Sequence, residues 1–390
     1  MASIAKSALL VALFAVVYEF WISDLLFVTW GLNRVVKPIE TFPYKCRRYQ
    51  DKQLQGCGKL WLDENGRILY AVCGGRRVLA IYIDEQKKDG VFHIEELQTA
   101  AVGGRSWDGS LDISSFTGEF HDDSTLRFWF VNHRLPVGPR GQSLDVRRVG
   151  KNVTVDAFEH TKRGKSMKHY MTVSRPEIYA PANIAYMGAD CFVVNNDRSK
   201  SKLRRIFDGI RPGGNLVYYD GWDKKNGTST PISVRSARAL VRGRDDRMYV
   251  GSATDGKIRV YQLLQGDIYK QYHVMRLNMP IESLSLDNEG LIWAIARSRY
   301  DPKGRKSATA IYQIEKANVV RPRYFIRKMI EDAKGKMLAG ASAVVHDVKN
   351  DRLFIGGTSK PKASSLSIAT TKLCLTCPGH SSYLTMCKRK

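Results

Sequence analysis

The sequence predicts an all-β fold, a six-bladed β-propeller, carrying an N-terminal hydrophobic signal-anchor. Three observations predict it: one strand–turn–strand pattern recurs along the chain, helical periodicity is sparse, and an apolar run at the start stands apart from the rest of the chain. With 390 residues, 43% of them hydrophobic, the chain has material for a large core, either as two or three domains or as one closed β-architecture.

The apolar run comes first. "ALLVALFAVVY" (Ala8 to Tyr18) is eleven apolar residues preceded by Lys6, the length and flank of a signal-peptide core. The following "EFWISDLLFVTWGL" offers no small-x-small pair for cleavage. Its Glu19 and Asp24 would be costly at a bilayer centre, which argues against one long transmembrane helix. Residues 1–32 are therefore expected to be a signal peptide or uncleaved signal-anchor, with Leu25–Trp30 at the interface or against the protein. The first forty residues are expected to lie outside the fold. Lys6 favours a lumenal body, while Arg34 and Lys37 pull the other way. A cleaved leader gives the same compartment: the secretory pathway, as endoplasmic reticulum lumen, membrane-anchored or secreted. There the sequons Asn152-Val-Thr and Asn226-Gly-Thr are usable glycosylation sites.

The recurring hairpin comes next. "LWLDENGRILYAV" (60–72) and "LSLDNEGLIWAIA" (284–296) share a strand, an acidic-Asn-Gly turn and an apolar second strand. Further copies are Leu111–His133 with a longer connection, Ile184–Asn195, Ala239–Ser252 and Val344–Gly357. The spacing, roughly 45 to 75 residues, suits blades of about four strands. "VLAIYID", "NLVYYD", "KIRVYQLL" and "AIYQIEK" supply outer strands, and "RYFIRKMIEDA" (323–333) reads as strand rather than helix. The propeller is placed at 38–368. Residues 369–390, with no strand pattern, are expected to form a disordered tail.

The cysteines are Cys46, Cys57, Cys73, Cys191, Cys374, Cys377 and Cys387. An odd count in an oxidising lumen leaves at least one thiol unpaired. Cys374-x-x-Cys377 is half of a zinc knuckle whose other half is missing, so zinc is not expected. A net charge of +24, from 62 basic and 38 acidic residues, favours anionic partners. The cations are spread rather than striped and no nucleic-acid module appears, so nucleic acid is not expected. A small, anionic molecule is, together with a membrane reached through the anchor and the basic surface.

In a propeller the ends of the innermost strands converge on the central tunnel, where ligand chemistry sits on a rigid scaffold. Those positions are Gly58 and Lys59; Gly109, Asn132 and His133; Ala182 and Asn183; Arg238; Glu282 and Ser283; and Ser342. No serine or cysteine occupies an elbow-type motif, which disfavours a covalent hydrolase. "GIRPGGN" lacks the strand-to-helix context of a phosphate loop.

The ordered set "PIETFPYKCRRY", "LRFWFVNHR", "APANIAYMGADCFVVNND", "LVYYD", "DRMYVGSATDGKIRVYQ", "IESLSLDNEGLIWAIA" and "GASAVVHDVKNDRLFIGG" resembles the paraoxonase/arylesterase family, particularly its filamentous-fungal members, from about Pro38 to Ser367. The resemblance implies a six-bladed propeller with two calcium ions in its tunnel, hydrolysing lactones, aryl esters and some organophosphates. Calcium would polarise the carbonyl, and histidines would assist water attack. It also implies a disulfide between Cys46 and the last blade. The family's partner position falls near Ser367, where there is no cysteine; Cys374 or Cys377 would substitute.

Carried over residue by residue, the family's calcium ligands are largely replaced. Its Glu-Asp pair falls on Gly58-Lys59, its Asn-Asp pair on Ala182-Asn183, an Asn on Arg238, and an Asp-Asn pair on Glu282-Ser283. One catalytic histidine falls at Gly109 or its neighbour; the other is kept as His133. Only the vestigial positions Asn183 and Glu282 retain oxygen ligands. No cofactor is expected, with calcium bound only if those residual ligands suffice. Two readings result. In the first, His133, Arg238 and Glu282 are catalytic, and Lys59, Asn132, Asn183 and Ser283 bind a small lactone, ester or related natural product, hydrolysed or rearranged without metal, as in fungal secondary metabolism. In the second, the former calcium site is a structural salt bridge and the propeller is non-catalytic.

Overall fold

The recurrence of an apolar hairpin is explained by where its second strand lies. In the computed structural model, which describes residues 2–49, 51–86, 92–100, 110–138, 142, 144–149, 151–200, 213–221, 229–264, 268–300, 307–317, 323–335, 337–357 and 384–389, second strands such as Ile68–Cys73 and Ile292–Arg297 are buried at every position. Each is covered on both faces. Ile68, Tyr70 and Val72 pack on Phe116, Phe128 and Phe130 of the next sheet, while Leu69 and Ala71 pack on Val345 and Phe354 of the previous one. Successive strand side chains point to opposite faces, so a strand sandwiched between two sheets must be apolar throughout. Fully burying one such Phe contributes about 1.5–3 kcal/mol.

The described residues form six sheets, and their innermost strands contact one another in a closed ring. This is the expected six-bladed, all-β propeller. Blade 1 is Cys57–Asp63, Ile68–Cys73, Arg77–Gln86 and Phe92–Glu96. Blade 2 runs Ile113–Phe120, Thr125–Arg134, Asn152–Thr161 and Ser166–Val173, with Gln98–Ala100 added in parallel at its edge. Blade 3 is Pro181–Gly188, Cys191–Asn196, Gly214–Tyr219 and Ser229–Val234; blade 4 is Ala237–Arg242, Arg247–Ser252, Lys257–Leu264 and Ile268–Arg276. Blade 5 is Ile281–Leu286, Ile292–Arg297, Thr309–Lys316 and Tyr324–Asp332. All six expected hairpins are the inner two strands of a blade. The segment 323–333 is strand, as its pattern suggested.

Blade 6 departs from the expectation. Ala341–Asp347 and Arg352–Gly357 are followed by Leu384–Arg389, and the N-terminal strand Tyr44–Tyr49 completes the sheet as its outermost member. The fold therefore extends past residue 368. "LTMCKR", assigned to a tail, is the third strand, and it is held because Leu384, Thr385 and Cys387 are buried. The closing disulfide joins Cys46 to Cys387, directly opposite in the ladder, rather than to Cys374 or Cys377, which lie outside the described residues. A second disulfide joins Cys57 to Cys73 across the inner hairpin of blade 1. Cys191 is a buried free thiol. Two disulfides point to an oxidising compartment.

The expectation that the first forty residues lie outside the fold is overturned from Asp24 onward, and Leu25–Trp30 takes the second of its two expected places, against the protein. Ala2–Val17 is α-helical and π-helical turns continue to Thr29, but no helix among the described residues is long and apolar enough to cross a membrane. From Asp24 onward the chain belongs to the fold. Asp24 pairs with Lys257 at 2.9 Å, Thr29 Oγ1 donates to the Thr254 carbonyl at 2.6 Å, and Arg34 donates to the Ser298 and Asn278 carbonyls. The charge of Asp24, costly in lipid, is here matched on the rim of blade 4. Leu9, Leu10, Leu13 and Phe14 stay exposed.

Candidate functional site

Each innermost strand carries the same irregularity. The pairing register slips between Cys57 and Lys59, Ile113 and Ser115, Pro181 and Asn183, Ala237 and Ala239, Ile281 and Ser283, and Ala341 and Ala343. A bulge leaves one residue unpaired and re-aims its side chain. The six unpaired residues are Gly58, Ser114, Ala182, Arg238, Glu282 and Ser342, and all six line one cavity of about 1180 Å3 at the end of the tunnel where the innermost strands begin. They are one equivalent ring position, filled differently in each blade.

The ring is lopsided. Across blades 4 and 5, Arg238 Nη2 and Nε donate to Glu282 Oε1 at 3.1 and 3.2 Å, and Arg297 Nη2 lies 3.5 Å from the same oxygen. Asp197 approaches Arg238 at 3.8 Å. Beside Glu282 the Arg238 guanidinium is held further toward its charged form, against the effect of burial. For Glu282, burial pushes the carboxyl upward, but Arg238, Arg297 and Lys59 together hold it below the usual range. Across blades 1 to 3 the ring is small: Gly58, Ser114 and Ala182 leave the mouth open.

The open half holds the remaining chemistry. Lys59, one residue below Gly58, lines both this mouth and a narrower cavity of about 420 Å3 at the other end of the tunnel. Among the described residues its ammonium has no hydrogen-bond or ion-pair partner. Burial pushes its pKa down to about 8, with Glu282 opposing and Arg238 adding to the shift. His133 lines the same mouth, its Nε2 3.0 Å from Ser114 Oγ. Burial, and secondarily the Lys151 ammonium, lower its pKa, with Asp112 opposing, so the imidazole is neutral at pH 7. Arg148, Lys151, Arg175, Arg198 and Lys200 surround the opening, and the only acids among the described residues that line it are Asp197 and Glu282.

The structure sorts the sequence-derived positions. Lys59, His133, Arg238 and Glu282 converge on the wide mouth. Asn132 does not. Neighbouring strand residues alternate faces, and with His133 in the mouth Asn132 is fully buried. It donates to Asp156 Oδ2 at 2.8 Å and Ser110 O at 3.0 Å, and accepts from Asp112 N–H. Asn183 is a brace between blades, accepting from Ser115 Oγ and donating to the Arg238 carbonyl at 2.9 Å. With Ser283 it lines the narrower cavity. Asn152 is exposed at the rim of the wide mouth; Gly109 and Asn226 lie outside the described residues.

Sequence reading missed Ser114, and the signal was present. The opening triplets Cys57-Gly58-Lys59, Ile113-Ser114-Ser115, Pro181-Ala182-Asn183, Ala237-Arg238-Ala239, Ile281-Glu282-Ser283 and Ala341-Ser342-Ala343 are equivalent. Starting the second hairpin at Leu111 put it out of phase.

The donors present do not fit calcium. That ion takes about six to eight oxygens, several of them carboxylate. Glu282 is the only carboxylate of the ring and two guanidinium groups hold it. The Asn183 amide oxygen already accepts the Ser115 hydroxyl, and Lys59 and Arg238 bring positive charge to the same space. Among the described residues no group of three or more His, Cys, Asp or Glu side chains is placed to hold a metal.

Comparisons with known proteins extend no further than the architecture. No family model and no curated protein matches the sequence. Among solved structures, a luciferin-regenerating enzyme is similar over 88% of this chain and 95% of its own, at 11% identity and a TM-score of 0.49. U3-55K aligns over 90% of this chain and 100% of its own, at 12% identity and a TM-score of 0.48. Virginiamycin B lyase from Staphylococcus aureus aligns over 88% and 99%, at 10% identity and a TM-score of 0.44. At such identities and TM-scores no activity follows from the likeness.

Proposed function

We propose that the protein is a paraoxonase/arylesterase-like enzyme acting on a small lactone, ester or related natural product in the wide mouth of the tunnel, with side-chain cations in place of a metal. The observation that carries this reading is the Lys59 ammonium, without a hydrogen-bond or ion-pair partner among the described residues, beside the open half of the ring and facing the same cavity as the neutral His133. Lys59 supplies positive potential where negative charge develops on a carbonyl oxygen, and Arg238, oriented by Glu282, offers hydrogen-bond donors beside it. His133 accepts a proton from the attacking group and returns it to the leaving alkoxide. The basic rim favours substrates with an anionic group. The disulfides and the N-terminal apolar helix support a place in the secretory pathway, with that helix as the membrane contact.

A second reading rests on one observation: Glu282 Oε1 is engaged by both Arg238 and Arg297, which is what a structural plug in the axle of a non-catalytic propeller would look like. A panel of lactones and aryl esters separates the two. The enzyme reading expects His133→Ala to lower kcat/KM by about 10²–10⁴ and Arg238→Ala by about 10²–10³, with folding retained. Because the His133 pKa is lowered, its base form persists at neutral pH, so activity is expected to fall only below the ordinary histidine value of about 6.5. Lys151→Ala, which removes a charge that depresses it, is expected to move that acid limb to higher pH. Wild type matching buffer on every substrate would leave the plug reading.

A further inference from the structure

We infer that Ser114 and His133 form a nucleophile–base dyad, and that the reaction proceeds through an acyl-enzyme on Ser114. This rests on the hydrolase reading and specifies its chemistry. Ser114 Oγ is 3.0 Å from His133 Nε2, the contact that activated serine nucleophiles require. Both side chains line the wide mouth.

The position explains why the motif is not an elbow. Ser114 is the unpaired residue of a strand bulge, so its side chain is turned into the tunnel without a strand-to-helix turn. Its neighbour Ser115 points the other way and is spent on Asn183. The equivalent ring residues on either side, Gly58 and Ala182, leave room for an acyl group, which blades 4 and 5 do not.

His133 is placed by its strand. Its backbone N–H donates to the Asp112 carbonyl at 3.0 Å, and the Asp112 carboxylate is paired with Lys151. Nε2 must be the unprotonated nitrogen for the dyad to act. Ser114 Oγ then attacks the ester or lactone carbonyl carbon while Nε2 takes the hydroxyl proton. The acyl C–O bond breaks, and the imidazolium returns that proton to the departing alkoxide, which stays tethered if the substrate is a lactone. Water, deprotonated by the same nitrogen, releases the carboxylic acid and restores Ser114. The Lys59 ammonium faces the oxyanion of both steps. Substrates are therefore esters or lactones with an unhindered acyl carbon.

The experiment exposes the full chain to an aryl fluorophosphonate and maps the adduct by peptide mass spectrometry, alongside rapid-mixing hydrolysis of 4-nitrophenyl acetate. One adduct per chain, on Ser114, is expected. It should be absent in Ser114→Ala and formed about 10²-fold or more slowly in His133→Gln. A nitrophenolate burst near one equivalent is expected in wild type and none in Ser114→Ala. Ser114→Cys, which keeps the position of the nucleophile, should accept the acetyl group and tests the dyad if the alanine variant folds poorly. Ester turnover persisting in Ser114→Ala with no adduct at Ser114 would overturn the dyad and leave the hydrolase reading standing. An adduct on Ser114 without turnover of any ester would show an activated serine but remove the hydrolase reading, and the acyl-enzyme pathway with it.

Discussion

Glu282→Ala is expected to lower the free energy of unfolding by about 3 kcal/mol, because breaking a buried pair from one side leaves uncompensated charge. The substitution removes the carboxylate that Arg238 and Arg297 share, leaving Arg238 with Asp197 at 3.8 Å as its nearest acid and Arg297 with the Ala341 carbonyl at 3.3 Å. Arg297 has only 7% of its side chain exposed and has little access to replacement water, whereas Arg238, at 32%, can be partly rehydrated. That difference places the estimate toward the lower end of about 3–5 kcal/mol for such deletions. Glu282→Gln keeps the volume and one acceptor, and should cost less. The decisive comparison is Glu282→Ala with Arg238→Ala in one chain: removing both partners should recover part of the loss, giving a coupling of about 0.5–3 kcal/mol. Urea unfolding of the four proteins measures it. Additive losses would mean that the pair does not close blades 4 and 5 across the tunnel. The same substitution bears on Lys59, since Glu282 is the charge that raises its pKa. Without Glu282 the amine should titrate lower still, and its acylation near neutral pH should quicken.

Replacing Cys46 and Cys387 together with alanine is expected to cost about 2–5 kcal/mol, the usual effect of removing a native disulfide. The bridge spans 341 residues of sequence and ties the outermost strand, Tyr44–Tyr49, to the strand beside it, so it locks the joint at which the ring of blades is closed. Losing it frees the unfolded chain from a very long loop. The Cys57–Cys73 bridge spans only 16 residues inside one hairpin. Since loop entropy rises with the logarithm of loop length, Cys57→Ala with Cys73→Ala should cost less. Denaturant midpoints of the two double variants test the order. Hydrogen exchange should show Tyr44–Tyr49 opening first in the Cys46/Cys387 variant; unchanged protection there would mean that the strand pairing alone closes the ring.

What the sequence disclosed and what it hid have separate physical causes. The inner hairpins were legible because their second strands are covered on both faces, giving unbroken apolar runs such as "ILYAVC" and "IWAIAR". The edge of blade 6 was not legible. Tyr44–Tyr49 carries Lys45, Arg47 and Arg48 around its cysteine, and Leu384–Arg389 is separated from its partners along the chain, so neither announces a blade. At the tunnel, Arg238, Glu282 and Lys59 were found because they stand just before an apolar strand. Asn132 was misplaced because neighbouring strand residues alternate faces, so with His133 in the mouth Asn132 is buried. Ser114 was overlooked because the second hairpin was begun at Leu111, out of phase with the other opening triplets. For Leu25–Trp30 the sequence left two places open, the interface or the protein surface, and the structure takes the second. The partners that decide it, Lys257 for Asp24, the Thr254 carbonyl for Thr29 and the Ser298 and Asn278 carbonyls for Arg34, come from residues more than two hundred positions later.

Thermal melting with calcium and with chelator tests the central claim most directly, namely that fixed cations occupy the tunnel in place of a divalent ion. The account predicts that the midpoint is the same at millimolar calcium and in excess chelator, and that ester hydrolysis is unaffected by either. A site filled about a hundredfold above its Kd would add about 2.7 kcal/mol of stability, a shift of several degrees that is easily seen. A saturable rise of that size, abolished by Glu282→Gln and accompanied by calcium-dependent turnover, would contradict the account.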